Sequence, residues 1–464
     1  MSIILWFLCL GSILALVLSY SNTTQFYIGS YFKINGFTLL VWTTVTFFSA
    51  IVSTYSKTYL NGFKYHNMFT LISFVFTISV MALVASNHLV PFLLSWLAMG
   101  LATSRLIGIN ADWGEARESS KYARRFFLSS SLLLSAGTLS LAFNSKSLLI
   151  SDIIENIDSL SNEIIIVSAL LIITGAIIQS AIFPFHRWLM SAMTAPTPAS
   201  ALMHAGFVNG SGIVLALFAT LLFSSHTMEI LFVIGGLTAI VAQFTKLIQT
   251  TVKQKLACST VAQMGFMIMQ CGLGFFNAAI VHLILHGFYK AYLFLSSGEE
   301  IEMLVPKNNP KIKISFIQAI AVLLYGVAGA GLFVLLTGKG NELDSSIFLT
   351  LVVAITVGQM TYNIVKAKVL SVAQRVVIPL LLFFGGITVY AFIFNTITHV
   401  MSDMPMVVNA VPLNYIHIIF GIIFLIGFFI MKLGVYKNTP WLYVKLLNAS
   451  QPYKKTVLNL KKQH

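Results

Sequence analysis

His282, His286 and Lys290 stand four residues apart within an otherwise apolar run, 277–297. Steps of four residues turn through about 400° around a helix, so these side chains form one stripe on one face. Such a stripe suits proton relay, because histidine exchanges protons near neutral pH and an amine drawn partly out of water can join it. The alternative is a polar network that satisfies itself between helices. A lone histidine favours that alternative, whereas a His, His, Lys stripe favours proton handling. Lys246 and Lys253, seven residues apart, fall nearly on one face near the end of the run 228–250 and the turn after it. Lys253 reads equally as a lysine snorkelling to the interface, while Lys246 lies deeper, beside Gln243 and Gln249. Arg105 closes the run 88–108, where snorkelling is the first account of it, and it is kept as a secondary candidate.

A second group of residues breaks helices. His204 follows Thr194-Ala-Pro-Thr-Pro-Ala-Ser200, whose Pro196 and Pro198 cannot continue an unbroken hydrogen-bond ladder. Pro184 likewise interrupts a run that begins at Ile164. Interrupted backbone at membrane depth is tolerated where protein or a water-lined cavity satisfies it, and in transporters it marks the transport path. A glycine-rich stretch, Gly326–Gly340 with Lys339, is the expected counterpart in the second half; Lys339 reads equally as an ordinary loop lysine.

The elements that must position these groups are membrane spans. The 464 residues are 57% hydrophobic and 9% charged, against roughly a quarter charged in soluble domains. Apolar runs of about 20 residues, enough to cross a roughly 30 Å hydrocarbon core, recur along the whole chain. They fall at 1–20, 36–54, 66–85, 88–108, 126–143, 164–184, 199–223, 228–250, 257–275, 277–297, 314–337, 346–365, 376–397 and 413–432. The expectation is an all-α polytopic membrane protein of about fourteen transmembrane helices, with two inverted repeats containing broken helices. Residues 1–440 form one membrane domain, and 441–464 a basic amphipathic cytoplasmic tail. The first run lacks a basic leader and reads as a retained span.

The net charge of +14 is distributed by loop rather than gathered in one patch, which argues against nucleic acid. Lys57, Lys64, Arg117, Lys121, Arg124, Arg125, Arg187, Lys253, Lys255, Lys307, Lys311, Lys313, Lys366, Lys368 and Arg375 fall at or near every second connection. One intervening connection, Asn144–Glu163, carries Asp152, Glu155, Asp158 and Glu163 against Lys146. The positive-inside rule then puts both termini in the cytoplasm of a multi-pass inner (plasma) membrane protein. Cys9, Cys258 and Cys271 show no metal-ligand or disulfide spacing, so no metal or other cofactor is expected in this chain. Neither a GxxxxGK[ST] nor a GxGxxG motif is present. The energy for transport must come from an ion gradient or a partner, and the chain is expected to be a transporter subunit, not an enzyme.

Three long motifs carry a family resemblance. Ser180-Ala-Ile-Phe-Pro-Phe-His-Arg-Trp-Leu-Met-Ser-Ala-Met-Thr-Ala-Pro-Thr-Pro-Ala-Ser-Ala-Leu-Met-His204 resembles the signature of the antiporter-like subunits of respiratory complex I and of Mrp-type cation/proton antiporters. Gln249–Phe266 resembles the segment carrying that family's relay lysine, which maps onto Lys253, and His282–Gly298 resembles its His, His, Lys helix in register. Phe-Pro-Phe-His-Arg-Trp-Leu, with Met-Thr-Ala-Pro-Thr-Pro and His-Ala-Gly-Phe-Val-Asn-Gly, is most similar to the membrane subunit of DAB-type inorganic carbon accumulation complexes. That resemblance implies a large cytoplasmic partner with a zinc site like that of β-carbonic anhydrases. It also implies an ion gradient, of protons or Na+, that drives CO2 hydration or bicarbonate delivery in one direction. Two positions depart from the family: Leu97 replaces the intramembrane glutamate after Trp96, and Gln179 replaces the broken-helix lysine before Ser180. Conduction must then rest on His204, Lys246, Lys253, His282, His286 and Lys290.

The reading is a proton-conducting membrane subunit of an inorganic carbon uptake complex. The alternatives are a complex I-like or Mrp-type antiporter subunit, or a non-conducting scaffold. The soluble partner is expected to dock at the basic face, around Arg117–Arg125, Arg187, Glu299–Lys313 and the tail, where charge orients a partner; the tail serves equally as a helix on anionic lipid. Crosslinks from the partner should therefore fall on the basic connections, and crosslinks confined to Asn144–Glu163 would reverse the topology.

Overall fold

A computed structural model describes residues 1–20, 25–297, 316–340, 343–351, 372–433 and 439–457. The protein is all-α, and among the described residues it has one short hairpin, β1 (Phe26–Ile28) and β2 (Phe32–Ile34), turned at Gly29. The first five long helices are α1 (Ser2–Ser19), α2 (Gly36–Tyr59), α3 (His66–Ala85), α4 (Leu89–Ile107) and α5 (Gly114–Ser145). The acidic connection after them holds a short helix, α6 (Ile150–Glu155), before α7 (Asn162–Gln179). The chain then breaks into α8 (Arg187–Ser191), α9 (Thr197–Leu202), a π-turn at Met203–Phe207, α10 (Gly210–Leu217) and α11 (Ala219–Ser224). Regular helices resume with α12 (Met228–Leu247), α13 (Val252–Gly272), α14 (Phe276–Leu295), α15 (Phe316–Thr337), α16 (Val372–Val400) and α17 (Tyr415–Leu433), and α18 (Pro440–Ala449) closes the series.

Among the described residues, ten helical segments are long and apolar enough to cross a membrane. Through α14 the helices coincide with the expected spans to within a few residues, apart from α5, which begins twelve residues early. The expected span 346–365 lies outside the described residues from 352 onward, as do Glu299–Lys313 and the end of the tail from 458.

One polar helix stands apart. α13 is absent from the ten because Lys253, Gln254, Lys255, Ser259, Thr260, Gln263 and Gln270 lie along it. Such a helix is stable at membrane depth only when protein encloses it, and Leu256 to Val261 are all buried. α12 closes on it backbone to backbone. A Cβ on Gly235 would meet the Met269 amide nitrogen at 2.4 Å, and one on Gly265 would meet the Gly235 carbonyl oxygen at 2.7 Å. Small residues at such a crossing let dispersion contacts and backbone dipoles do what the hydrophobic effect cannot do in lipid.

Two of the anticipated geometries are corrected. The stretch Gly326–Gly340 does not interrupt its helix: α15 runs through Gly326, Gly329 and Gly331, and only Gly338 and Gly340 take left-handed φ, of +68° and +98°. Glycine costs a helix about 1 kcal/mol relative to alanine but keeps the N–H that proline lacks. Lys246 and Lys253 also do not share one helical face. α12 ends at Leu247 and Thr251 caps a new helix, its hydroxyl accepting from the Gln254 amide at 3.2 Å.

Side-chain contacts sort the two ends of the bundle. At one end Lys64 pairs with Asp112 at 3.2 Å, Tyr59 donates to Thr197 at 3.1 Å, and Tyr122 stacks on Tyr453 with ring centres 4.4 Å apart. Trp6 reaches Thr54 near the same end (3.2 Å), while the Tyr20 carbonyl and His399 meet at the other (3.2 Å). Met1 and the C-terminal segment thus lie on one face. That segment packs on the bundle: His186 Nε2 lies 2.6 Å from the Ala449 carbonyl oxygen, and the Tyr453 amide donates to Ser191 at 3.0 Å.

The α12–α13 crossing tolerates no added side chain. Gly265→Val should destabilise the protein by at least the 1–3 kcal/mol typical of overpacking. Thermal unfolding in detergent against a Gly11→Val control, where nothing lies within 4 Å of the added Cβ, measures it.

Candidate functional site

The π-turn, α13 and α14 meet at a buried cluster. Pro196 caps α9 and Pro198 lies in its first turn, positions where a missing N–H costs nothing. They start a fresh helix that reaches His204 after two turns. There the ladder widens, with the Val208 amide bonding to Met203 at 3.2 Å. π-turns recur at functional sites, and this one aims the fully buried His204 ring across Phe294 of α14, with ring centres 4.4 Å apart and planes 22° apart. Its Nδ1 lies 2.9 Å from the Thr260 hydroxyl of α13.

Lys290 is also fully buried. Its ammonium donates to the Leu256 carbonyl oxygen at 2.9 Å and to the Ser259 hydroxyl, both on α13. One turn away is His286, 5% exposed, and beyond it His282, their rings stacked with centres 5.9 Å apart and planes 18° apart. The expected stripe on α14 is therefore present, and the broken helix brings His204 beside it. Among the described residues the Nε2 atoms of His204, His282 and His286 have no hydrogen-bond partner. Buried polar atoms are seldom left so, which makes this row fit for water and for protons.

Lys253, in the first turn of α13, donates to the Ala195 carbonyl oxygen at 3.0 Å, the group just before Pro196. It braces the broken helix from within the protein and is only partly exposed. Lys246 is half-buried in the last turn of α12. Arg105 is exposed at the end of α4 and joins nothing here. Pro184 is exposed in the turn after α7 and shapes that turn, its peptide bond with Phe183 being cis. Lys339 comes after α15 and lies 5.9 Å over the Phe275 ring, away from the cluster.

Gln179 ends α7 fully buried, in a network without formal charge. The Trp96 indole donates to Ser130 at 3.1 Å, Ser130 donates to the Gly175 carbonyl oxygen at 2.7 Å, and the Gln179 amide oxygen lies 3.5 Å from the same hydroxyl. Leu97, half-buried, offers no carboxylate. Next to Gln179, Ser180 donates to the Val208 carbonyl or to Ser211, linking the end of α7 to the start of α10.

Sequence reasoning did not single out Ser259, Thr260 or Ser130. The signal for Thr260 was its seven-residue spacing from Lys253 along one helix. Ser130, in an ordinary apolar run, gave none. Among the described residues no group of three or more His, Cys, Asp or Glu is placed to hold a metal ion.

Residues 86–312 match the family profile described as NADH:quinone oxidoreductase/Mrp antiporter, transmembrane. The chain is 34% identical over 332 residues to a probable inorganic carbon transporter subunit, DabB2, of Halothiobacillus neapolitanus, covering 70% of this chain and 59% of that one. The DabB of Bacillus subtilis is 34% identical over 303 residues, 64% of this chain and 60% of the relative. NADH-quinone oxidoreductase subunit L of Rickettsia typhi is 32% identical over 287 residues, covering 59% and 44%. The matches thus span about half of these relatives' length. Among solved structures, a chain of the Mrp complex from Dietzia sp. DQ12-45-1b superposes with a TM-score of 0.60 at 20% identity, over 86% of this chain and 49% of that one. A chain of an archaeal membrane-bound sulfane sulfur reductase gives 0.59 at 18% identity, over 97% and 90%. The fold is shared with both, and it is over residues 86–312 that this chain resembles the NADH:quinone oxidoreductase/Mrp antiporter membrane family.

Proposed function

We propose that this chain is the proton-conducting membrane subunit of an inorganic carbon uptake complex. Protons move along a row made by Lys246, Lys290, His286 and His282, with His204 at its side and Lys253 holding the broken helix. The observation that carries this reading is the buried ammonium of Lys290, held by α13 and accompanied on its own helix by two histidines with unpartnered nitrogens. A group of this kind at membrane depth is expensive, and proton passage accounts for it. The inorganic carbon role is supported by the DabB relatives, and the likeness to subunit L keeps a complex I-like or Mrp-type cation/proton antiporter subunit as the second reading. In the first reading the partner is a large cytoplasmic carbonic-anhydrase-like protein that carries the zinc and any catalysis. It docks at the face bearing Arg117–Arg125 and Arg187, both termini of this chain being cytoplasmic and the bundle lying in the inner membrane.

The uncharged Trp96–Ser130–Gln179 network favours a third arrangement, a scaffold that conducts nothing. Lys290→Met separates it from the other two. Methionine keeps most of the volume and removes the charge, so the protein should remain folded in membranes while carbon uptake by cells expressing the complex falls to background. Unchanged uptake by a well-expressed variant leaves only the scaffold.

Position 179 gives a second test. Gln179→Lys alone places an unpaired charge in a fully buried site and should lower folded yield, because removing or withholding a partner from a buried charge costs about 3–5 kcal/mol. Adding Leu97→Glu should restore yield and alter the rate and pH dependence of uptake. If neither changes in the double variant, position 179 is not on the proton path.

A further inference from the structure

Thr260 has one hydroxyl proton and two neighbours. Its oxygen lies 3.0 Å from the Leu256 carbonyl oxygen, one turn earlier on α13, and 2.9 Å from His204 Nδ1. A carbonyl oxygen only accepts, so both contacts are hydrogen bonds in one arrangement: Thr260 donates to Leu256, and His204 Nδ1–H donates to Thr260. The same Leu256 oxygen also accepts a proton of the Lys290 ammonium at 2.9 Å. Thr260 and His204 are fully buried, so water does not compete for these positions.

We propose that Thr260 is a positioning residue that fixes neutral His204 as its Nδ1–H tautomer and thereby makes Nε2 the atom that exchanges protons. This rests on the proton-conducting reading and deepens it. Nε2 carries the free lone pair and has no hydrogen-bond partner among the described residues. When a donor in the row releases a proton, Nε2 gains it and the ring becomes imidazolium; the return step breaks that same N–H bond. Nδ1 keeps its proton throughout, because the Thr260 oxygen facing it is already committed as a donor to Leu256. His204 is therefore a side station that loads and unloads through one nitrogen, not a link passing protons in at one ring atom and out at the other. Lys290 and Thr260 meet at one carbonyl, so the amine and the imidazole are held by a single backbone group of α13.

The test is solid-state nitrogen NMR of the full chain, labelled at histidine nitrogen and reconstituted in lipid bilayers, with the His204 signals assigned by loss in His204→Gln. The wild type and Thr260→Ser should show Nδ1 protonated and Nε2 bare in the neutral ring. Thr260→Val, nearly the same shape without the hydroxyl, should shift the ring to the other tautomer or a mixture. Proton flux of the complex in vesicles should fall about a hundredfold in Thr260→Val, the lower end of what a positioned acid–base group contributes, and be retained in Thr260→Ser. A wild-type ring protonated at Nε2 overturns the proposal without any variant. So does a Thr260→Val protein whose ring stays Nδ1–H, whatever its flux. A wild type with the stated tautomer, displaced in Thr260→Val, but with no proton flux, upholds the role of Thr260 and overturns the conduction reading instead.

Discussion

The Lys290 ammonium in the middle of the bundle is the constraint on which the rest of the structure depends. Taking an ion of this kind out of water costs several kcal/mol even after relaxation, and no carboxylate pairs with it among the described residues. In place of a carboxylate it has a backbone carbonyl and a hydroxyl on α13. α13 must then be polar where it faces α14, and a polar helix must be enclosed. Glycines at the α12 crossing permit one side of that enclosure, and the broken helix supplies another. The π-turn, the proline-headed α9 and the Lys253 brace on Ala195 arise from the need to bring His204 to the same place.

A second region shows the effect of removing the charges. Around Trp96, Ser130 and Gln179 the same kind of helix end is stabilised by neutral hydrogen bonds alone. Neutral networks have smaller desolvation costs and change little with protonation of their surroundings. The contact of α4, α5 and α7 is thus electrically quiet, while buried ionisable groups gather where the π-turn, α13 and α14 pack together.

The spans were legible in the sequence because twenty-residue apolar runs have one meaning in a bilayer. The His282, His286 and Lys290 stripe was legible because residues four apart on a helix share a face whatever surrounds them. Lys246 and Lys253 misled for the converse reason: periodicity holds only within one helix, and the Thr251 cap restarts the phase. The glycines of α15 misled because glycine lowers helix propensity without removing a hydrogen-bond donor. Thr260 and Ser130 could not be weighed in advance. A hydroxyl on an apolar helix usually bonds back to its own carbonyl one turn earlier; only the tertiary arrangement shows that Thr260 also meets His204, and that Ser130 serves Trp96 and Gly175.

The widened turn at Met203–Phe207 has a consequence for how this bundle can change over time. A π-turn holds about one residue more than an α-turn, so it offsets the helix on its N-terminal side from the helix on its C-terminal side by a rotation of roughly 100°. α9 and α10 can therefore each satisfy their own neighbours, with His204 turned toward Thr260 and Ser211 toward Ser180. Losing one residue there would leave a more regular helix, better bonded along its backbone, yet out of phase with one partner or the other. Local regularity and alignment of the cluster pull in opposite directions at this point, so helix stability gained here comes at the expense of the site.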